Sequence, residues 1–245
     1  MKKHYGVILI ALFLVLISAS FYFAHYMIFH DIHHILIYLV GDLAFLPLEV
    51  LLVGIVVERI LANREKEEKI KKLNMVISVF FSEVGNPLAS VLLNATSQKD
   101  LLIEKLDVAA NWKEAEFKRA KQFVEKSAFI GFDKVDVAEL ATFLLNKRTF
   151  MLTLIENPNV LEHESFSDLL LSVFHLTEEL ESRPSLTNLT ARDASHIDED
   201  IKRAYRHLVI QWLDYMQHLK SNYPYLYSHY LRIHPFQLHP SAVVE

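Results

Sequence analysis

Two acidic residues interrupt the second of two long apolar runs near the start of this sequence. Asp42 and Glu49 stand in the run from Ile35 to Val57, and a spacing of seven puts both carboxyls on nearly one face of a helix. A charge in hydrocarbon costs about 3 kcal/mol on insertion scales, so such residues face protein or a water-filled cavity and mark a functional site by default. At matching depth in the preceding run, Tyr22 and His25 can reach Asp42, and Ser18 is the nearest polar residue for Glu49. The plainer expectation is a pair of protonated carboxyls, hydrogen-bonded within a helix pair or across an oligomer interface. A proton or cation relay in a multimer is the sharper alternative. Pro47, between the acids, frees a backbone carbonyl one turn earlier and suits either reading.

Histidine beside carboxylate offers a second chemistry, that of metal ligation. His30, His33 and His34, with Asp31 and His25 nearby, can supply imidazole and carboxylate to zinc, copper or nickel, and His30 and His34 stand one turn apart if helical. An interfacial link among head groups is the plainer reading there. Further on, Asp168, Ser172, His175 and Glu179 form a polar stripe at i, i+4, i+7 and i+11, just after Glu162 and His163. His175 and Glu179, one turn apart, can share a metal or act as a general acid–base pair; a hydrated face with an ordinary ion pair competes. No cofactor is expected beyond such a divalent metal. His196, His207, His218 and His229 recur every eleven residues, but about 16 Å of rise separates successive members, too far to share an ion.

These residues need elements to position them. Gly6 to Phe29 is charge-free and, at about 1.5 Å per residue, long enough for a hydrocarbon core of about 30 Å. The run from Ile35 to Val57 is as long, and the short polar link 30–34 forces the two spans into an antiparallel hairpin. A cleaved signal peptide competes for the first span, with Lys2 and Lys3, an apolar middle, and Ser18-Ala19-Ser20. The apolar run continues nine residues past that site, which favours a retained anchor. Lys2 and Lys3 precede the hairpin, Arg59, Arg64, Lys66, Lys69, Lys71 and Lys72 follow it, and the link has neither Lys nor Arg. The positive-inside rule then predicts an inner-membrane protein with both termini cytoplasmic.

Residues 58–86 read as a membrane-proximal helix whose basic face (Arg64, Lys66, Lys69, Lys71, Lys72) lies near anionic head groups, or is simply solvated. Ile70, Leu73, Ile77, Phe80 and Val84 make a short seam for a partner helix. Gly85-Asn86-Pro87 is expected to end that helix, with glycine in a left-handed cap. Residues 87–245 then predict a helical bundle, with helices near 88–105, 112–129, 136–156, 166–182, 195–221 and 225–232, and caps at Asn111, Asp136, Ser165 and Ser195. The last long helix carries the stripe Ile197, Ile201, Ala204, Leu208, Trp212, Tyr215 and Leu219. The aromatic segment 223–230 is expected to dock on that bundle, or else on head groups or another protein.

Composition narrows the classes. Among 245 residues there is no cysteine, which excludes disulfides, zinc–thiolate and iron–sulfur sites, c-type haem and thiol catalysis. A formal charge of −5 provides no footprint for nucleic acid. Five glycines and seven prolines, without strand–turn spacing, argue for helices over a β-sandwich or an α/β nucleotide fold. No P-loop, nucleophile elbow or zincin motif is present.

The stretch Phe81-Ser82-Glu83-Val84-Gly85-Asn86-Pro87-Leu88 resembles the phosphoacceptor box of sensor histidine kinases, S-H-E-[IL]-[RK]-[NT]-P-L. It lacks the histidine, Gly85 replaces the basic residue, and no glycine follows Gly131 to build an ATP lid, so kinase chemistry is not expected. Four phrases, GDLAFLPLEVLL (41–52), KKLNMVISVFFSEVG (71–85), LEHESFSDLLLSVFHLTEEL (161–180) and YPYLYSHYLRIHPF (223–236), resemble an uncharacterised prokaryotic membrane family that begins with a two-span hairpin. The resemblance implies a helical domain after the hairpin and carries no activity with it.

The expectation is an all-α protein, a two-helix transmembrane hairpin (residues 1–57) followed by a cytoplasmic multi-helix bundle. Its partners would be the lipid bilayer, further copies of itself through the spans, and an unidentified cytoplasmic protein. A non-enzymatic adaptor or signalling module is the leading role. A metal-dependent or proton-coupled enzyme or transport subunit, using the intramembrane carboxylates or the 162–179 cluster, is the alternative.

Overall fold

The computed structural model describes residues 2–243 apart from 128, 129 and 133, with side chains described from residue 8 onward. Every regular element among the described residues is helical. In chain order these are α1 (Lys2–Phe29), α2 (Ile32–Phe80), a single π turn (Phe81–Gly85), α3 (Asn86–Asn94), α4 (Lys99–Leu106) and α5 (Glu114–Glu125). There follow α6 (Val137–Ile155), α7 (Pro158–Leu161), α8 (Glu164–Glu181), α9 (Ala191–Asn222) and α10 (Pro224–Ile233). The contacts divide the chain into two units, residues 1–66 and 67–245. The expected basic start at Lys2 and Lys3 lies outside the described side chains.

In the first unit the link is shorter than expected. His30 adopts a left-handed φ of 53°, a region where histidine is enriched among non-glycine residues, and its N–H still donates to Tyr26 O at 2.9 Å. Asp31 then accepts the His34 N–H at 3.1 Å, satisfying a first-turn donor, so α2 begins at Ile32 and takes up His33 and His34. Pro47 sits inside α2 without ending it. Two stretches, in α1 and in α2, are long and apolar enough to cross a membrane. From residue 8 to residue 72 no side chain is buried.

The second unit is built around α9. Its expected stripe, Ile197 to Leu219, is buried throughout, and Tyr205, Val209, Leu213 and Met216 widen the buried face. The helix packs most extensively with α8, then with α5 and α10, while α6 lies on α8. The seam of α2 serves this bundle: Leu73, Ile77, Phe80 and Val84 are buried in its core, and Ile70 remains exposed. Phe80 meets Phe166 edge-on at 5.4 Å, and Phe81 stacks on Tyr215 at 5.0 Å.

Several expectations about boundaries change here. Gly85 does not cap a helix in the left-handed region; its φ and ψ are −64° and −52°. Instead the Asn86 N–H donates to Phe81 O, five residues back, in a π turn that lets the chain pass Pro87, which has no N–H to give. Glycine is needed for space: a Cβ at residue 85 would overlap the Phe81 ring. The helix expected over 88–105 breaks at 95–98, where Thr96 Oγ1 donates to Gln98 Oε1 at 2.7 Å and the Lys134 N–H reaches Ala95 O at 3.0 Å. Asp136 caps α6 as expected, accepting from Ala138 N and Glu139 N. The other caps fall earlier or later than Ser165, Ser195 and Asn111, at His163, Thr190 and Lys113. The helix expected over 112–129 ends at Glu125, and its last two positions lie outside the described residues. The aromatic C-terminal segment docks on the bundle, with the Tyr227 hydroxyl donating to Ala109 O at 3.1 Å and Tyr230 against Tyr215.

Candidate functional site

Within the first unit, Asp42 lies in a lateral crevice with Ser18, Tyr22, His25, His34 and Tyr38. Asp42, Tyr22 and His25 thus line one crevice. His25 and His34 stack with ring centroids 5.9 Å apart and planes 5° from parallel, and His25 Nε2 is shielded from solvent without a hydrogen-bond partner. Glu49 is exposed and does not line this crevice. His30 and His33 are exposed as well, His30 lies outside any helix, and among the described residues the close group of three potential metal donors is the one between α8 and α9 rather than one in the link. Arg64, Lys66, Lys69, Lys71 and Lys72 are exposed on α2, and Lys69 lies 3.4 Å from Glu162.

The richest constellation in the second unit forms between α8 and α9. On α8, His175 and Glu179 stand one turn apart with Nε2 and Oε1 at 3.9 Å. On α9, His196 and Asp200 repeat that spacing with Nε2 and Oδ2 at 3.5 Å. The two pairs cross: His196 Nε2 is 3.5 Å from Glu179 Oε2, and His175 Nε2 is 3.7 Å from Asp200 Oδ1. Glu179, His196 and Asp200 each bring one donor atom within 4.8 Å of the other two.

Burial and charge grade across this cluster. The Asp200 side chain is 1% exposed, whereas those of His175 and His196 are 45% and 54% exposed. Asp200 thus forms the floor and the imidazoles the rim. Arg203 Nη1 lies 2.9 Å from Asp200 Oδ1, yet neither Asp200 oxygen accepts a hydrogen bond. Arg183 donates to Glu179 Oε2 at 2.9 Å and, through Nε and Nη2, to both oxygens of Asp193. That hydrogen bond holds the Glu179 carboxyl below the usual carboxylate range, against the upward push of burial. Asp193 is held low by the same guanidinium.

The remaining residues of the expected 162–179 cluster go elsewhere. His163 Nδ1 accepts the Phe166 N–H at 3.3 Å as the cap of α8, and Glu162 meets Lys69. Asp168 interacts instead with His207, whose basicity burial lowers while Asp168 opposes that effect. Sequence reasoning found His175 and Glu179 and missed Asp200, and it took His196 only as a member of an eleven-residue recurrence. The signal was the repeated motif, His-x-x-x-Glu at 175–179 and His-x-x-x-Asp at 196–200, on consecutive helices joined by residues 182–190.

Two family models match this chain. One, described as the C-terminal helical domain of uncharacterized protein MJ1433, covers residues 69–232; the other, the N-terminal helical domain of MJ1433, covers residues 2–61. The chain belongs to the MJ1433 family. The uncharacterized protein MJ1433 of Methanocaldococcus jannaschii is 41% identical over 239 residues, spanning 97% of this chain and 96% of the relative. No solved structure matches. The MJ1433 models part between residues 61 and 69, and the contacts divide the chain there too, after residue 66. The expected membership of an uncharacterised family, one with an N-terminal and a C-terminal helical domain, is therefore shown, and it brings no activity to the cluster between α8 and α9.

Proposed function

We propose that this protein is a membrane-anchored helical module of the cytoplasmic membrane, acting as a non-enzymatic adaptor or signalling element. One observation carries the reading: no residue from 8 to 72 is buried, although this region holds both of the long apolar stretches. A core helix of a water-soluble bundle is long and apolar because it is buried, and these helices are not buried. Contiguous apolar surface beyond about 600 Å² is rare on soluble monomers, and helices that are apolar all round need lipid or protein around them. A signal peptide accounts for the first stretch alone.

The distribution of Lys and Arg supports cytoplasmic termini and an extracytoplasmic His30–Asp31 link. The polar crevice at Asp42 suits contact with a second copy within the bilayer, where a buried carboxyl finds partners across helices. α2 supports a signalling role, since Leu73, Ile77 and Phe80 at its end belong to the core of the bundle. A cytoplasmic protein is the expected partner of that bundle.

Alkaline carbonate extraction with C-terminal reporter fusions tests this. The full chain should stay in the vesicle pellet, and a cytoplasm-active reporter should signal while a periplasm-active one stays silent. Release into the carbonate supernatant would overturn the anchor, and the opposite reporter pattern would overturn the orientation.

A further inference from the structure

We propose that His175, Glu179, His196 and Asp200 form a tetrahedral site for a zinc-class divalent cation that joins α8 to α9. The proposal rests on the bundle alone and does not depend on where the first 66 residues reside.

Donor chemistry comes first. Two imidazole nitrogens each face both carboxylates, His175 at 3.9 Å from Glu179 Oε1 and 3.7 Å from Asp200 Oδ1, and His196 at 3.5 Å from Glu179 Oε2 and 3.5 Å from Asp200 Oδ2. Zinc bonds of about 2.0–2.1 Å set tetrahedral donor–donor edges of about 3.3 Å. Octahedral magnesium, with similar bond lengths, needs edges of about 2.9 Å and prefers oxygen throughout. To reach the zinc value the carboxylates must turn so that one oxygen of each serves both imidazoles, and the mixed nitrogen and oxygen set selects the same metal class. Glu179, His196 and Asp200 each bring a donor atom within 4.8 Å of the other two, and His175, outside that group, would close on Glu179 and Asp200 as the fourth ligand.

A second observation comes from Asp200 itself. Its carboxylate is almost wholly enclosed, with neither oxygen accepting a hydrogen bond, and it points toward both imidazoles. Arg203 pairs with Oδ1 at 2.9 Å, and a coordinated cation would satisfy Oδ2, which faces His196 and whose burial without a hydrogen bond is costly. The surrounding charge permits this. Three carboxylates (Glu179, Asp193, Asp200) face two guanidiniums (Arg183, Arg203), leaving one negative charge uncompensated. Arg183 acts as a positioning residue, since it engages Glu179 Oε2, the oxygen 3.5 Å from His196, and leaves Oε1 directed at His175. The half-exposed imidazoles give an ion a route from solvent.

The test uses the full chain purified in detergent micelles, stripped with chelator, and titrated with zinc alone. Bound metal is read by elemental analysis after gel filtration, and affinity by calorimetry. One equivalent of zinc per chain should bind and raise the thermal midpoint, and magnesium should bind far more weakly. H196A and D200N should each lower zinc affinity by about a hundredfold or more, beyond the roughly 10–100-fold typical of outer-shell partners. H33A/H34A should leave the affinity unchanged. Less than a tenth of an equivalent of zinc in the wild-type chain would overturn the site. So would full binding by both H196A and H175A, whose half-exposed positions allow folding even if D200N does not fold. Magnesium binding as tight as zinc would overturn the metal class.

Discussion

α1 and α9 are both long helices, 28 and 32 residues, and they deal with their apolar side chains in opposite ways. α9 turns a broad face inward, with Leu208, Trp212 and Met216 buried, and keeps Arg203, Arg206 and Asp214 in solvent. α1 is apolar all round and leaves Leu9, Phe13, Leu16 and Phe23 exposed. The same contrast separates residues 8–72 as a whole from the bundle that starts at Leu73. Helix formation is shared between the two regions; what differs is the partner for the apolar surface. In the bundle that partner is the protein itself, and for the first unit the proposal makes it lipid. Polar residues follow suit. Asp42 and His25 sit in a crevice between two helices, while Glu179 and Asp200 are held among guanidiniums and imidazoles.

Core truncation tests this contrast with the largest effect. Trp212→Ala, at a position 1% exposed beside Phe236 and His234, should cost about 3–5 kcal/mol in urea unfolding of the full chain in micelles. Leu14→Ala and Leu51→Ala, exposed in the first unit, should leave that transition within about 0.5 kcal/mol of wild type. Equal losses from both sets would mean that the hairpin owes its stability to the bundle.

A pH-dependent effect of slightly smaller size should belong to the bundle alone. His234 is fully enclosed against Trp212, and burial pushes its pKa down to about 4; the Asp107 carboxylate, itself raised by burial, lies 3.4 Å away. A base with a folded pKa below its unfolded value of about 6.5 contributes stability that is full above that value. That contribution is lost as pH falls toward the folded pKa, because the unfolded chain binds the extra proton. Stability should therefore drop by about 3 kcal/mol between pH 6.5 and 4, and His234→Phe should flatten that segment of the profile. An unchanged slope in the variant would show that other groups carry the acid sensitivity.

Glycines give the smallest and most local comparison. Gly85→Ala should cost about 1–3 kcal/mol, since the added methyl meets the buried Phe81 ring. Gly41→Ala and Gly54→Ala, with nothing within 4 Å of the added atom, should leave the bundle's unfolding unchanged. A neutral Gly85→Ala would mean that Phe81 can move, and that the π turn is softer than its packing implies.

Helix periodicity and apolar run length are local properties, and they made much of the fold legible. The stripe from Ile197 to Leu219 and the α2 seam are written in spacings of three, four and seven, the Asp136 cap in a residue type, and the two apolar stretches in their length. The π turn was not legible. A glycine followed by Asn-Pro satisfies the local rules for a helix stop, whereas here the glycine makes room for the Phe81 ring and the π turn carries the helix past Pro87. The candidate site divides in the same way. His175 with Glu179, and His196 with Asp200, each follow from one helix having 3.6 residues per turn. Their meeting depends on the register of α8 against α9, which is set by the interdigitation of side chains distant in sequence. The sequence alone therefore determined which residues share a helical face, because that depends on backbone geometry within a few residues. Only the tertiary structure decided which faces meet, because packing is a property of the whole core.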